Sequence, residues 1–239
     1  MSSPFFVWTV QRTGSTTLTT ILSHLSSSDV KHEPFNVNRE FAYRRNKDVL
    51  IQNLDNLRGQ CFCFKHCWNV HRPMFNQLIF DFFIQDGYRL ILLSRSNVLA
   101  MEISRQLAKQ TGVWGKNTEK DHCSYIEQDF LPLDIIEITQ SISSYVTRLN
   151  EYRLQLEQAN INYFSLSYEN IFETSMEQRF SLIRKLCNFL DIPSKNIEDK
   201  KTNLEDLLKD NKQNTFEVYK KIPNIDKILM KFPEYNIFG

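Results

Sequence analysis

The stretch FFVWTVQRTGSTTLTTIL, residues 5–22, decides the fold. Its opening run, Phe5–Val10, is apolar enough to read as a strand buried on both faces. Leu18, Ile21, Leu22 and Leu25 then recur at i, i+3, i+4 and i+7, the stripe of a helix that covers such a strand. The connection between them is QRTGS. A turn from a buried strand into a helix gathers backbone N–H groups and the positive end of the helix dipole at one point, which suits an anion. Gly14 lets the backbone turn and come close to that anion. Arg12 offers a planar fork for two oxygens of one group, and Ser15, Thr16, Thr17 and Thr19 offer hydroxyls. An ordinary capped helix is the plainer alternative and needs only Ser15; Arg12, Gly14, Ser15 and Thr16 together favour an anion loop.

Loops that cradle ATP or GTP have the form G-x4-G-K-[ST], with a lysine on the terminal phosphates and a hydroxyl on magnesium. Here one glycine stands alone and the lysine is missing. The loop therefore asks for a smaller doubly bonded anion beside a nucleotide, gripped by arginine and amides without a metal.

Outward from this unit the pattern repeats. The apolar run CFCFK, residues 61–65, precedes a helical stripe of Phe75, Leu78, Ile79, Phe82 and Phe83. YRLILLSR, residues 88–95, is the clearest strand, and the helix after it has Asn97 as cap and Gly112 as stop. Asp134 and Glu137 have capping-box spacing at the head of a long helix. NYFSLSYE, residues 162–169, is a further strand, and Ser175 with Gln178 opens a helix that runs to Leu190 before Pro193. Ser194–Gln213, rich in Lys, Asp and Asn, reads as a surface loop with one short helix. Strands alternating with helices predict an α/β protein of three layers, a central parallel sheet flanked by helices, in a single domain over residues 1–239.

Composition narrows the function. Hydrophobic residues make up 41% and aromatics 13%, too many for a disordered chain, yet no apolar run nears the roughly 20 residues of a membrane span. The Phe5–Val10 run lacks a basic segment before it and a cleavage site after it, so no signal peptide is expected. A net charge of +1 with interspersed signs gives no footprint for nucleic acid. Five cysteines, an odd number, point to a reducing, cytoplasmic setting. Cys61, Cys63, His66, Cys67 and His71 invite a zinc reading, but a C-x-C pair inside a buried strand fits cysteine as a small hydrophobe better, and no metal is expected.

A second constellation accompanies the loop. Arg95 ends the best strand and Ser104 lies two turns into the next helix, at the sheet edge where ligands bind in open α/β folds. Ala100, Ser104 and Ala108 make a row of small residues on that helix. Arg95 and Ser104 can converge on a second phosphate; the bland alternative is a salt-bridged arginine and a serine bonded to its own backbone.

These stretches resemble the sulfotransferases that use 3′-phosphoadenosine 5′-phosphosulfate (PAPS), in pattern closest to the bacterial carbohydrate and nodulation-factor branch. That family's [KR]-x-G-[ST]-T motif, which holds the 5′-phosphosulfate, is matched by Arg12, Thr13, Gly14, Ser15 and Thr16. Its arginine and serine on the 3′-phosphate are matched by Arg95 and Ser104, nine residues apart, with QTGVW trailing. SYENIF, residues 167–172, and IRKLCNFLDIP, residues 183–193, resemble its later motifs. Thr17 stands where many members have tryptophan, and Gln11 where many have proline. The family's basic, glycine-rich loop over the nucleotide is not recognisable; Lys200 and Lys201 are possible substitutes. The resemblance implies a P-loop-like sulfotransferase architecture, PAPS as co-substrate, and an acceptor that is a glycan or other small molecule.

Sulfuryl transfer is an in-line displacement in which the protein positions, neutralises and removes one proton. Two residues compete as the base. Glu33 in KHEPFN resembles the glutamate of an E-x-F-N-like stretch in the bacterial branch, and His66 in FKHCW resembles the histidine of the animal branch, one residue too close to its lysine. Lys65 can steady the bridging oxygen with either. Glu33 is favoured. Trp68, Trp114 and Tyr125 are candidates for lining an acceptor site. A non-catalytic ligand-binding module, a nucleotide-dependent kinase and a zinc module are the rival functions, and the oligomeric state stays open.

Overall fold

The computed structural model describes residues 3–60, 62–114, 129–209 and 216–237. Five strands, β1 (Phe5–Thr9), β2 (Val30–His32), β3 (Cys63–Cys67), β4 (Arg89–Ser94) and β5 (Tyr163–Ser167), form one all-parallel sheet in the order β2-β3-β1-β4-β5. The described helices, in chain order, are α1 (Ser15–Ser26), α2 (Lys47–Leu57), α3 (Pro73–Gln85), α4 (Val98–Thr111), α5 (Ile135–Gln158), α6 (Tyr168–Phe172), α7 (Met176–Phe189), α8 (Lys195–Asp199), α9 (Lys201–Lys209), α10 (Phe216–Lys220) and α11 (Ile225–Lys231). The chain divides into two compact units. One holds the described residues of Met1–Ser94 and Gln155–Asp210, the other those of Arg95–Leu154 and Asn211–Gly239.

In the first unit the alternation of β1 sends neighbouring side chains to opposite faces of the sheet. Phe5 and Val7 pack with Leu18, Ile21 and Leu22 of α1 and Ile183 and Leu186 of α7. Phe6 and Trp8 face an aromatic layer, with Phe6 stacked on Phe64 at 5.5 Å and Trp8 edge-on to Phe80 of α3 at 5.2 Å. All four β1 side chains are fully buried, each contributing about 1.5–3 kcal/mol. Helices thus flank the sheet on both faces.

Strand β3 starts two residues later than CFCFK suggested, because its ladder sets Phe64 opposite Phe6 and Cys67 opposite Thr9. Lys65 and His66 therefore stand inside a strand. Cys61 lies outside the described residues. The charged stretch after Ser194, read as a surface loop with one short helix, forms two helices, α8 and α9, because Ile197, Leu204 and Leu208 reach the core beside α1 and α7.

The second unit has its own core, built from Leu99, Ile103 and Leu107 of α4, Ile138 of α5, and Val218, Ile222 and Ile228. Asn97 caps α4 by accepting the Ala100 N–H at 3.0 Å, and Gly112 ends it at φ 74°, as its sequence signals indicate. Asp134 accepts the N–H groups of Ile136 (2.8 Å) and Glu137 (3.0 Å). Glu137 does not complete a capping box: its carboxylate goes to Arg105, 2.9 Å away, and to Lys109, since a cation outbids a backbone amide. No helix among the described residues is long and apolar enough to cross a membrane.

Candidate functional site

The site lies at the carboxyl edge of the sheet, where the strand order turns back on itself: the chain leaves β1 for the far edge at β2, returns through β3, then crosses to β4. The loop after β1 is held by its own threonines. Thr9 and Thr13 share a hydrogen bond of 2.7 Å, Thr9 donates to the Leu93 carbonyl at 2.9 Å, and Thr13 is fully buried. The Thr13 hydroxyl is therefore turned inward and pins the turn. Arg12 and Gly14 both take left-handed backbone angles, φ 68° and 74°. Gly14 is the N-cap of α1, and no side chain caps the first turn. This is not the ordinary Ser15-capped helix, because Ser15 already belongs to α1. A Cβ at Gly14 would lie 2.5 Å from a ring carbon of Phe172 and 3.0 Å from one of Tyr168, so the SYENIF segment forms a wall against the loop.

Thr16 is exposed at the start of α1 and Thr17 is half-buried. Thr19 leaves the proposed hydroxyl set: it is fully buried and bonds the carbonyls of Ser15 (3.0 Å) and Thr16 (2.9 Å) in its own helix.

Strand β2, too short at three residues to announce itself in the sequence, delivers Glu33. Glu33 still donates its N–H to the Lys65 carbonyl at 3.0 Å, then turns the chain at φ 51°. That left-handed angle costs a non-glycine residue on the order of 1 kcal/mol, a strain that collects at functional sites. Its carboxylate meets Lys65 Nζ at 3.3 Å, and the same ammonium donates to Thr16 Oγ1 at 3.0 Å. Cys67 donates its thiol to Glu33 Oε1 at 3.4 Å, and Asn36 Nδ2 donates to Oε2. Burial pushes the Glu33 carboxyl up, but the Lys65 ammonium and the bonds from Cys67, Lys65 and Asn36 outweigh it and hold the group below its ordinary value. Burial, reinforced by Glu33, keeps Cys67 a thiol.

His66 occupies the opposite face of β3. It is fully buried, stacked on Trp8 at 4.6 Å, with Nε2 on Asn76 Oδ1 at 2.8 Å and Nδ1 without a hydrogen-bond partner. Burial, with His71 beside it, pushes it down to about 3. Arg12, Gly14, Ser15, Thr16, Lys65 and Glu33 thus belong to one edge of the sheet, whereas His66 belongs to its aromatic core.

No family model matches this chain, and no curated protein matches it.

Arg95 and Ser104 are in the second unit. Arg95 takes the Tyr145 hydroxyl on its backbone N–H at 2.9 Å. Ser104 is buried, as are Ala100 and Ala108 of its small-residue row. Lys200 cannot cover the loop: its ammonium caps the His24 carbonyl at the far end of α1, a helix about 18 Å long. Lys201 stands over the Phe180 ring at 6.0 Å. Trp68 is buried and Trp114 is 45% exposed, while Tyr125 lies outside the described residues. Among the described residues no three His, Cys, Asp or Glu side chains gather as a metal site, and Cys63 sits in the apolar core.

Proposed function

We propose that the chain is a sulfotransferase, moving a sulfuryl group from PAPS to a hydroxyl of a small-molecule or glycan acceptor. One observation carries the reading: the Lys65 ammonium touches both the anion loop, at Thr16 (3.0 Å), and the carboxylate beside it, at Glu33 (3.3 Å). A cation between an anion turn and a carboxylate is what transfer from a charged donor to a hydroxyl needs. The donor set fits a phosphosulfate: the Arg12 fork, the hydroxyls of Ser15 and Thr16, an uncapped first turn of α1, and a cradle at Gly14 that a Cβ would close. The sequence motif assigns Arg95 and Ser104 to the 3′-phosphate and places Thr13 in the loop, with Thr17 following it as a further hydroxyl. Among the described residues Cys67 and Cys187 are buried thiols outside any disulfide, which accords with a cytoplasmic setting.

In the transfer, the acceptor oxygen bonds to sulfur as the bond from sulfur to the 5′-phosphate oxygen breaks. The electron pair leaves with the phosphate, and the hydroxyl proton passes to Glu33. Arg12 and the first-turn amides neutralise the sulfuryl oxygens. With Lys65 resting on it, Glu33 is a weak base. Once Lys65 turns to the bridging oxygen, the carboxylate loses its counter-charge and becomes basic as the proton must move.

Thermal stabilisation tests the reading. Adenosine 3′,5′-bisphosphate at 100 times its Kd is expected to add about 2.7 kcal/mol, and ATP with magnesium much less. Stabilisation by ATP alone would point to a kinase. Binding of the bisphosphate without transfer to any acceptor would point to a ligand-binding module.

A further inference from the structure

The candidate base is not held by Lys65 alone. Behind it runs a chain of side chains drawn from two loops, Asn36 and Tyr43 from the one after β2 and His71 from the one after β3. Asn36 Nδ2 faces Glu33 Oε2, Asn36 Oδ1 faces His71 Nε2 at 2.7 Å, and His71 Nδ1 faces the Tyr43 hydroxyl at 2.6 Å. The direction of every proton follows from chemistry. An ionised carboxylate only accepts, so the Asn36 amide presents N–H to Glu33 and its carbonyl to His71. That carbonyl only accepts, so His71 carries its proton on Nε2. The bare Nδ1 then takes the Tyr43 proton. Burial keeps His71 neutral, pushed down to about 4, and pushes the Tyr43 phenol up to about 12, so neither group changes state near neutral pH. The His71 ring is fixed mechanically as well, stacked on His66 at 4.5 Å and on Tyr43 at 5.7 Å, and Tyr43 is 4% exposed.

We propose that Asn36, His71 and Tyr43 are positioning residues: a one-way chain of donated hydrogen bonds that clamps the Glu33 carboxylate in a single orientation toward the acceptor. The chain does not conduct protons, because a carboxamide in its middle passes none on without becoming an imidic acid. It fixes the angle of Oε2 and leaves that oxygen's second lone pair for the acceptor hydroxyl. The clamp rests on the reading of Glu33 as base, but its geometry can be tested without any reaction.

The groups that face Glu33 are Lys65 and Cys67 from β3, His71 through Asn36, and His32 from β2, which feels Lys65, Glu33, Arg39 and Asp29. Burial and Lys65 hold His32 below its ordinary value, and it shares a 3.2 Å contact with Thr19. Because His66 and His71 protonate only at acid pH, near 3 and near 4, the variant and wild-type titrations of Glu33 are compared over the same pH range.

The test is His71→Phe, which keeps a ring in the stack and deletes both nitrogens. In the free protein, labelled on glutamate side chains, the titration of the Glu33 carboxyl carbon followed by NMR is expected to move to higher pH. In the transfer assay, kcat is expected to fall roughly tenfold or more, with KM for the donor unchanged and the acid limb of the rate profile moved upward. His71→Gln, which offers one N–H and one carbonyl, is expected to recover part of both. An unmoved Glu33 titration in a folded His71→Phe protein overturns the clamp. Should that variant not fold, Tyr43→Phe decides: an upward shift supports the clamp, and none overturns it. A wild-type protein that transfers no sulfate would remove the base reading while the NMR comparison still decided the clamp.

Discussion

Within β3 two adjacent ionisable side chains are buried on opposite faces of the sheet, and they meet opposite fates. Lys65, 5% exposed, finds the Glu33 carboxylate and the Thr16 hydroxyl. His66, 0% exposed, finds Trp8, His71 and the Asn76 amide, and stays neutral. Burial is nearly equal; the partners differ. Desolvation sets the cost of a buried charge, and a partner of opposite sign decides whether the fold retains it.

The comparison can be broken most forcefully on the paired face. Lys65→Met strands a mostly buried carboxylate and is expected to cost about 4 kcal/mol in urea unfolding. Lys65→Met combined with Glu33→Gln is expected to recover more than half of that; additive losses would show that the two faces are alike after all. On the neutral face the expected effect is a pH dependence. Above 6.5 neither the folded nor the unfolded chain protonates these rings. Below it the unfolded chain takes up protons that folded His66, near 3, and His71, near 4, refuse, so stability falls as the pH drops from 6.5 towards 3. Between pH 6.5 and 4 the loss from His66 is on the order of 3 kcal/mol, and His66→Gln is expected to flatten that slope in equilibrium unfolding. The smallest effect sharpens the paired face: Cys67→Ala removes one donor from Glu33 and is expected to cost about 1 kcal/mol, with Cys67→Ser costing less.

What could be read from the sequence follows the range of the forces involved. The β1 turn and α1 were legible because period, glycine and hydroxyls lie within eighteen consecutive residues. Asn97, Gly112 and Ser175 with Gln178 were legible for the same reason, since caps act within one turn. Glu33 and Lys65 were named one by one, but not their 3.3 Å pairing, which the β2–β3 register creates across 32 positions. Asn36 was within reach, three residues after Glu33 in KHEPFN. Tyr43 and His71 carried no local signal, because their roles arise only where two loops meet. His66, the less favoured base, lies on the other face from Lys65 because one residue along a strand reverses the face. Lys200, only a possible cover for the nucleotide in the sequence, bonds the His24 carbonyl at the end of α1, a placement that charge in a sequence does not signal.

The wall behind Gly14 has a consequence for the order in which the protein is made. Phe172 and Tyr168 leave the ribosome some 155 residues after the glycine they press against. The chain between includes the described residues of Arg95–Leu154, which belong to the other unit. A nascent chain can pair β1 with β3 and β4 early, yet the turn at Gly14 stays open on one side until β5 and α6 arrive. Synthesis therefore delivers four of the five strands before the aromatic wall against Gly14.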